Sequence, residues 1–221
     1  MKAMILAAGR GERLRPLTDF TPKPLLQAGK FRLIEYIIHA LVKAGIDEII
    51  INTAYLAEQF PATLDNGEKY GVSIRYSPET EGALETAGGI VNALPLLGDE
   101  AFLIVNGDVW TDYDYRTLVE TGLTEDKLCH LVMIGNPEHN PKGDFALNSG
   151  LLSQDGDNKY TYSGIGIYHP LLFADLPVTR MPLKPVLVDA MAKKQVSGEI
   201  YLGDWSDIGT CQRLEALAKT L

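Results

Sequence analysis

Cysteine is scarce in this chain of 221 residues: Cys129 and Cys211 stand far apart and share no metal-type spacing. With 4 histidines and no His/Cys cluster, a zinc site is not expected, and a reducing, cytoplasmic setting is. Long hydrophobic runs are missing as well. The opening Met4-Ile5-Leu6-Ala7-Ala8 is cut by Gly9 and the charged residues behind it. A signal peptide is therefore not expected, nor a membrane span, which needs about 18 to 20 apolar residues. Basic residues are outnumbered, 20 against 29 acidic, for a formal net charge of −9. That balance speaks against nucleic acid or an anionic membrane as a partner. The exception is the first 23 residues, where Lys2, Arg10, Arg13, Arg15 and Lys23 meet Glu12 and Asp19 alone. Positive charge gathered at one end of an acidic chain marks the first candidate phosphate site.

Short apolar runs alternate with helical periodicity, which predicts an α/β fold with a mostly parallel sheet. Strands are expected at Ala3–Ala7, Glu48–Asn52, Ile74–Tyr76, Ala101–Val105, Leu128–Ile134, Tyr160–Tyr168 and Glu199–Leu202. Ile34, Ile37, Ile38, Leu41 and Val42 follow helical spacing up to Gly45. A second helix is expected from a Thr86 cap to Leu94, with Pro95 just past its end. Helices are also expected over Lys184–Lys193 and Thr210–Leu221, and a hairpin near Ala146–Leu152. With no internal repeat, low-complexity tract or linker, residues 1–221 read as a single domain.

The segment from Leu6 to Thr18 follows the first strand directly. Its glycines would let backbone N–H groups approach a polyphosphate, and its arginines would add charge-assisted hydrogen bonds. On residue types alone it could also be a strand-to-helix turn with solvated arginines. A dinucleotide fingerprint needs a third glycine where Leu14 stands, and a Walker loop needs a terminal Gly-Lys-Ser/Thr that is missing. Asp108 ends an apolar strand in Val105-Asn106-Gly107-Asp108, at a strand tip where α/β sheets collect ligands. Asp207 sits in a similar strand-to-helix position. Two such aspartates suit magnesium, which takes one or two protein carboxylates and completes its shell with phosphate and water. Either could instead be a turn or helix-cap residue.

Leu6 to Thr18, followed by Thr21-Pro22-Lys23-Pro24-Leu25, resembles the signature of the sugar-1-phosphate nucleotidyltransferase family. The resemblance implies a Rossmann-like three-layer fold with a mostly parallel central sheet and a small β insertion for the sugar. It implies Mg²⁺ held by Asp108 and Asp207, and Arg13, Lys23 and Asp108 as the catalytic residues. Ala8, Gly9, Gly11, Glu12, Arg13, Lys23, Glu81, Gly82 and Gly88 fall in its nucleotide-binding segments. Asn106, Asp144, Ser163 and Gly164 fall in those that line the sugar pocket. One departure stands out. Many relatives carry a Glu-Lys-Pro element whose lysine meets the sugar phosphate, and Asn148 to Ser163 lacks it; Lys184, after Pro182, is the expected substitute. The runs 75–79, 84–86 and 106–114, with the compact length, draw the resemblance towards uridylyltransferases of peptidoglycan recycling. UTP and a sugar 1-phosphate are the implied substrates. Mannose-1-phosphate guanylyl transfer, glucose-1-phosphate uridylyl or thymidylyl transfer, and a non-catalytic nucleotide-sensing subunit are the alternatives.

Overall fold

A computed structural model describes residues 1–79, 82–124 and 126–221. Strand β1 (Ala3–Leu6) opens the chain, and β2 (Gln27–Ala28) and β3 (Phe31–Arg32) precede helix α1 (Leu33–Lys43). Next come β4 (Glu48–Thr53), α2 (Gln59–Leu64), β5 (Ser73–Pro78) and α3 (Glu85–Leu97). They are followed by β6 (Phe102–Asn106), β7 (Val109–Thr111), α4 (Arg116–Thr121) and β8 (Cys129–Ile134). The remainder holds β9 (Phe145–Asn148), β10 (Leu151–Ser153), β11 (Lys159–Tyr168) and α5 (Leu183–Ala192). It closes with β12 (Val196–Tyr201), β13 (Trp205–Asp207) and α6 (Cys211–Thr220).

Among the described residues, nine strands form one sheet in the order β5-β4-β1-β6-β11-β8-β12-β10-β9. The first four run parallel, β11 enters antiparallel between β6 and β8, and β12 again runs parallel to β8. The β9–β10 hairpin is the small insertion, paired to β12 on one side and to β11 on the other. The central strands are apolar on both faces, as strands covered by helices must be. Ile5, Ile49, Ile51, Leu103 and Val105 point to the layer of α1, α2 and α4. Met4, Ile50, Phe102 and Ile104 point to the layer of α3 and α5. The result is a three-layer α/β/α arrangement. Helix α6 lies apart from both layers, packing Leu214 and Leu217 on Leu14, Leu33 and Ile208. None of the described helices is long and apolar enough to cross a membrane.

Helix α3 departs from expectation at both ends. It begins at Glu85 without a side-chain cap, and it runs through Pro95 to Leu97. Proline removes one intrahelical donor, but Leu97 is buried and holds the last turn against the sheet. The carbonyl of Leu96 is meanwhile satisfied by Lys2 Nζ at 2.9 Å and by Arg75 at 2.7 Å.

Ile104 is fully buried at the middle of β6. Ile104→Ala is expected to cost about 2–5 kcal/mol, read as a lowered urea midpoint with an unchanged slope.

Candidate active site

At the C-terminal end of β1 the chain turns through Gly9 and Gly11 into the arginine-rich loop. Gly11 has φ +65°, and a Cβ there would stand 3.0 Å from both Lys23 and Thr18, so the turn needs glycine. Its carbonyl accepts from the Leu14 N–H at 2.9 Å and from the Thr18 hydroxyl at 2.9 Å, which pins the loop from inside. Lys23 lies between Pro22 and Pro24 in a short 3-10 turn, its side chain 9% exposed. An ammonium so far out of water requires a counter-charge, and Asp108 supplies it in a direct ion pair. Asp108 reaches that position from the tip of β6. Gly107 donates its N–H to the Leu6 carbonyl at 2.9 Å, an approach that a side chain would block. Together these residues border a cleft of about 440 Å³ that Gly9, Gly11, Glu12, Arg13, Lys23 and Asp108 help to line. Ala8 and Gly82 are not on its wall; Ala8 is buried behind the loop and Gly82 is exposed. Glu81 lies outside the described residues.

The backbones of Asp108 and Asp207 are brought side by side by a ribbon that short-range pattern does not reveal, although Asp207 is not among the residues lining the cleft. β13 pairs antiparallel with β7, setting Asp207 opposite Val109, and the Ile208 N–H donates to the Asp108 carbonyl at 2.8 Å. The Asp207 carboxylate accepts from Arg213 at 2.7 Å and faces His139 at 3.3 Å. Arg13 completes the group, since a Cβ on Gly209 would stand 3.3 Å from the guanidinium groups of both Arg13 and Arg213. Among the described residues no three His, Cys, Asp or Glu side chains converge. A pair of carboxylates fits a hard cation that draws the rest of its shell from phosphate and water, and does not fit a cation that needs an all-protein cage.

A second cavity of about 420 Å³ adjoins the first, and Thr86 and Asn106 line both. Asp144 and Lys184 are on its wall, with Phe145, Tyr162 and Leu187 as apolar lining. The Asp144 carboxylate is oriented by the Tyr162 N–H at 2.9 Å and by Asn140 at 3.3 Å. Ser163 and Gly164 do not line this cavity, contrary to expectation. Ser163 is 1% exposed, and its carbonyl accepts from the Trp205 indole at 2.9 Å. Gly164, at φ +82°, leaves room for the Asn106 side chain, which a Cβ there would meet at 2.5 Å. The pair occupies an irregularity in the β11–β8 register and sets the position of Asn106 from behind.

Gly88 also has a different place from the one expected. It is buried, and its bare Cα faces the Thr179 carbonyl, which a Cβ would meet at 2.1 Å. The strap 179–182 thereby lies along the first turn of α3. The Met181 carbonyl accepts from the N–H groups of Ala87 at 3.0 Å and Gly88 at 3.2 Å, and the Met181 N–H donates to Leu84 at 2.9 Å.

Sequence reasoning missed a buried relay at the ends of β4 and β5. Asn52 Oδ1 accepts from the Ala7 N–H at 2.8 Å, and Asn52 Nδ2 donates to Glu79 at 2.7 Å. The other Glu79 oxygen accepts from the Leu84 N–H at 2.7 Å. Gly89 permits the approach, because a Cβ there would stand 2.6 Å from the Glu79 carboxylate. One amide and one carboxylate thus tie the start of the glycine loop to the start of α3. An asparagine closing the apolar run Ile49-Ile50-Ile51 was the available signal.

The profile of the nucleotidyl transferase family matches residues 2–147. The chain is 50% identical to the N-acetylmuramate alpha-1-phosphate uridylyltransferase of Neisseria meningitidis serogroup B, over 97% of this chain and 96% of that one. It is 30% identical to the protein of the same description from Caulobacter vibrioides, over 95% and 92% of the two chains. In fold it is similar to a crystal structure described as a putative glucose-1-phosphate thymidylyltransferase from Bacillus anthracis. That match has a TM-score of 0.88 at 22% identity, covering 100% of this chain and 96% of the other.

Burial outweighs the hydrogen bonds from Leu84 and Asn52 and lifts the Glu79 carboxyl above the usual glutamate range. A raised pKa means that the folded protein holds this proton more tightly than the unfolded chain does. The contribution to stability is then full below the ordinary glutamate pKa and lost as pH rises through the raised one. Urea titrations from acid to neutral pH are expected to show that decline in the wild type. In Glu79→Gln the slope over the same window should be shallower.

Proposed function

The chain belongs to the nucleotidyl transferase family, and on that premise we propose that it transfers the uridylyl group of UTP to N-acetylmuramic acid α-1-phosphate, releasing pyrophosphate. The 50% identity with the Neisseria meningitidis enzyme, over 97% of this chain and 96% of that one, supports the choice of substrates. The observation that carries the chemistry is the meeting of Lys23 and Asp108 on the wall of a cleft that adjoins a second cavity through Asn106 and Thr86. One cavity can take a nucleoside triphosphate, the other a sugar, and the reacting groups meet between them.

The sugar phosphate is already ionised, so no strong general base is needed. Its oxygen bonds to the α-phosphorus of UTP as the bond from that phosphorus to the pyrophosphate oxygen breaks. Catalysis then rests on positioning and charge neutralisation. Lys23 is poorly mobile between its prolines and is aimed by Asp108, which suits an ammonium placed against a phosphoryl group gaining negative charge. The loop Gly9 to Arg13 would cradle the β- and γ-phosphates with backbone N–H groups and the Arg13 guanidinium. Asp108 and Asp207 would hold Mg²⁺. The ion would supply further neutralisation of the phosphate oxygens. Asn106 and Asp144 would receive the sugar, whose hydroxyl and amide groups need both donors and acceptors. Cytoplasmic peptidoglycan recycling is the role this reaction implies.

Pyrophosphate release with Mg²⁺ tests the assignment, with UTP, GTP, dTTP and ATP paired against muramic, glucose, mannose and glucosamine-type 1-phosphates. Release with UTP and N-acetylmuramic acid 1-phosphate is expected. Preference for GTP with mannose 1-phosphate would replace these substrates while keeping the chemistry, and no release with any pair would overturn the enzymatic reading. Asp108→Asn is expected to lower turnover by roughly 10²–10³-fold with an unchanged circular dichroism spectrum, as losing a charge aimed at the reacting group should.

A further inference from the structure

Lys184 stands at the second position of α5, on the wall of the second cavity and not of the first. Its ammonium lies over the Phe145 ring, 5.7 Å from the centroid. Among the described residues it has no hydrogen bond and no ion pair. The carboxylates on the same wall are both engaged: Glu85 pairs with Arg180 at 3.0 Å, and Asp144 is held by the Tyr162 N–H at 2.9 Å. The start of α5 carries no side-chain cap, so its partial positive charge adds to that of the lysine. The second cavity therefore offers an exposed cation that, among the described residues, has only the Phe145 ring beside it and no ion pair, on a wall that also holds Phe145, Tyr162 and Leu187.

That cation lines the second cavity and not the one bordered by Lys23 and Asp108. The sugar phosphate has to reach the nucleotide beside Lys23 and Asp108, which border the first cavity, while Lys184 is confined to the second. A sugar entering through the Asn106–Thr86 junction presents to Lys184 a part of the ring remote from its phosphate. N-acetylmuramic acid differs from N-acetylglucosamine by a lactyl ether that ends in a carboxylate, a second anion away from C1. We propose that Lys184 is a specificity-determining residue that pairs with this lactyl carboxylate, and that it does not serve the phosphate. The assignment rests on the uridylyl transfer proposed above and names the group that separates one sugar from its neutral relatives.

The test compares kcat/KM for N-acetylmuramic acid 1-phosphate with that for its lactyl carboxamide, in wild type, Lys184→Gln and Lys184→Arg, at saturating UTP. Wild type is expected to prefer the acid by about tenfold, the scale of one charge-assisted contact at a half-open site. Lys184→Gln should erase the preference and Lys184→Arg should keep it. Equal losses on acid and amide in Lys184→Gln, with the preference intact, would place the lysine on the phosphate and overturn the inference. An unchanged preference with unchanged rates, or a wild type that treats acid and amide alike, would overturn it too. Wild type that transfers to neither sugar would instead discard the proposed reaction, a result distinct from each of these.

Discussion

An ammonium taken out of water must be met by a charge of the opposite sign, and that requirement at Lys23 organises the site. The lysine arrives on a segment stiffened by Pro22 and Pro24, 85 residues before its partner Asp108. Bringing them together takes parallel β1 and β6 side by side, with Leu6 in register with Asn106. It also takes glycine at 107, so that the tip of β6 can close on the carbonyl of Leu6. Removing either partner would leave a charge stranded in a partly dry cleft, which is far costlier than never having buried the pair. Packing of the sheet and readiness for chemistry are here one condition.

The parts of the fold that could be read in advance are those where apolar side chains recur at a fixed period. The strands β1, β4, β6 and β8 and the helix α1 have a dry face or two dry faces, and Ile49, Ile50 and Ile51 or Ile34, Ile37 and Ile38 announce them. The β7–β13 ribbon has three residues on each side, drawn from places almost a hundred positions apart, and no local pattern encodes such a pairing. Pro95 misled because the stop signal of a proline was outweighed by Leu97 packing and by Lys2 and Arg75 both reaching the Leu96 carbonyl, all long-range effects.

In the candidate site, the residues expected from the motifs whose side chains line a cavity are found together: Arg13, Lys23 and Asp108 share one cavity, Asp144 and Lys184 the other. Residues found holding others in place were expected elsewhere or not singled out. Ser163 and Gly164 shape the place of Asn106, Gly88 makes room for Thr179, and Asn52 is linked through Glu79 to Leu84. A glycine next to a ligand and a glycine next to a carbonyl look alike in a sequence. What tells them apart is the atom across the gap.

The strap at Met181 bears on where an anion can settle. The N-terminus of a helix ordinarily offers free amide donors and attracts phosphate. In α3 the Ala87 and Gly88 donors are already committed to the Met181 carbonyl, although Thr86 of the same turn borders both cavities. The helix is thus blunted as a rival anion trap. Under the proposed reaction, a polyphosphate entering the cleft would find its backbone donors in the loop after β1, beside Lys23, and would not be drawn aside by the start of α3.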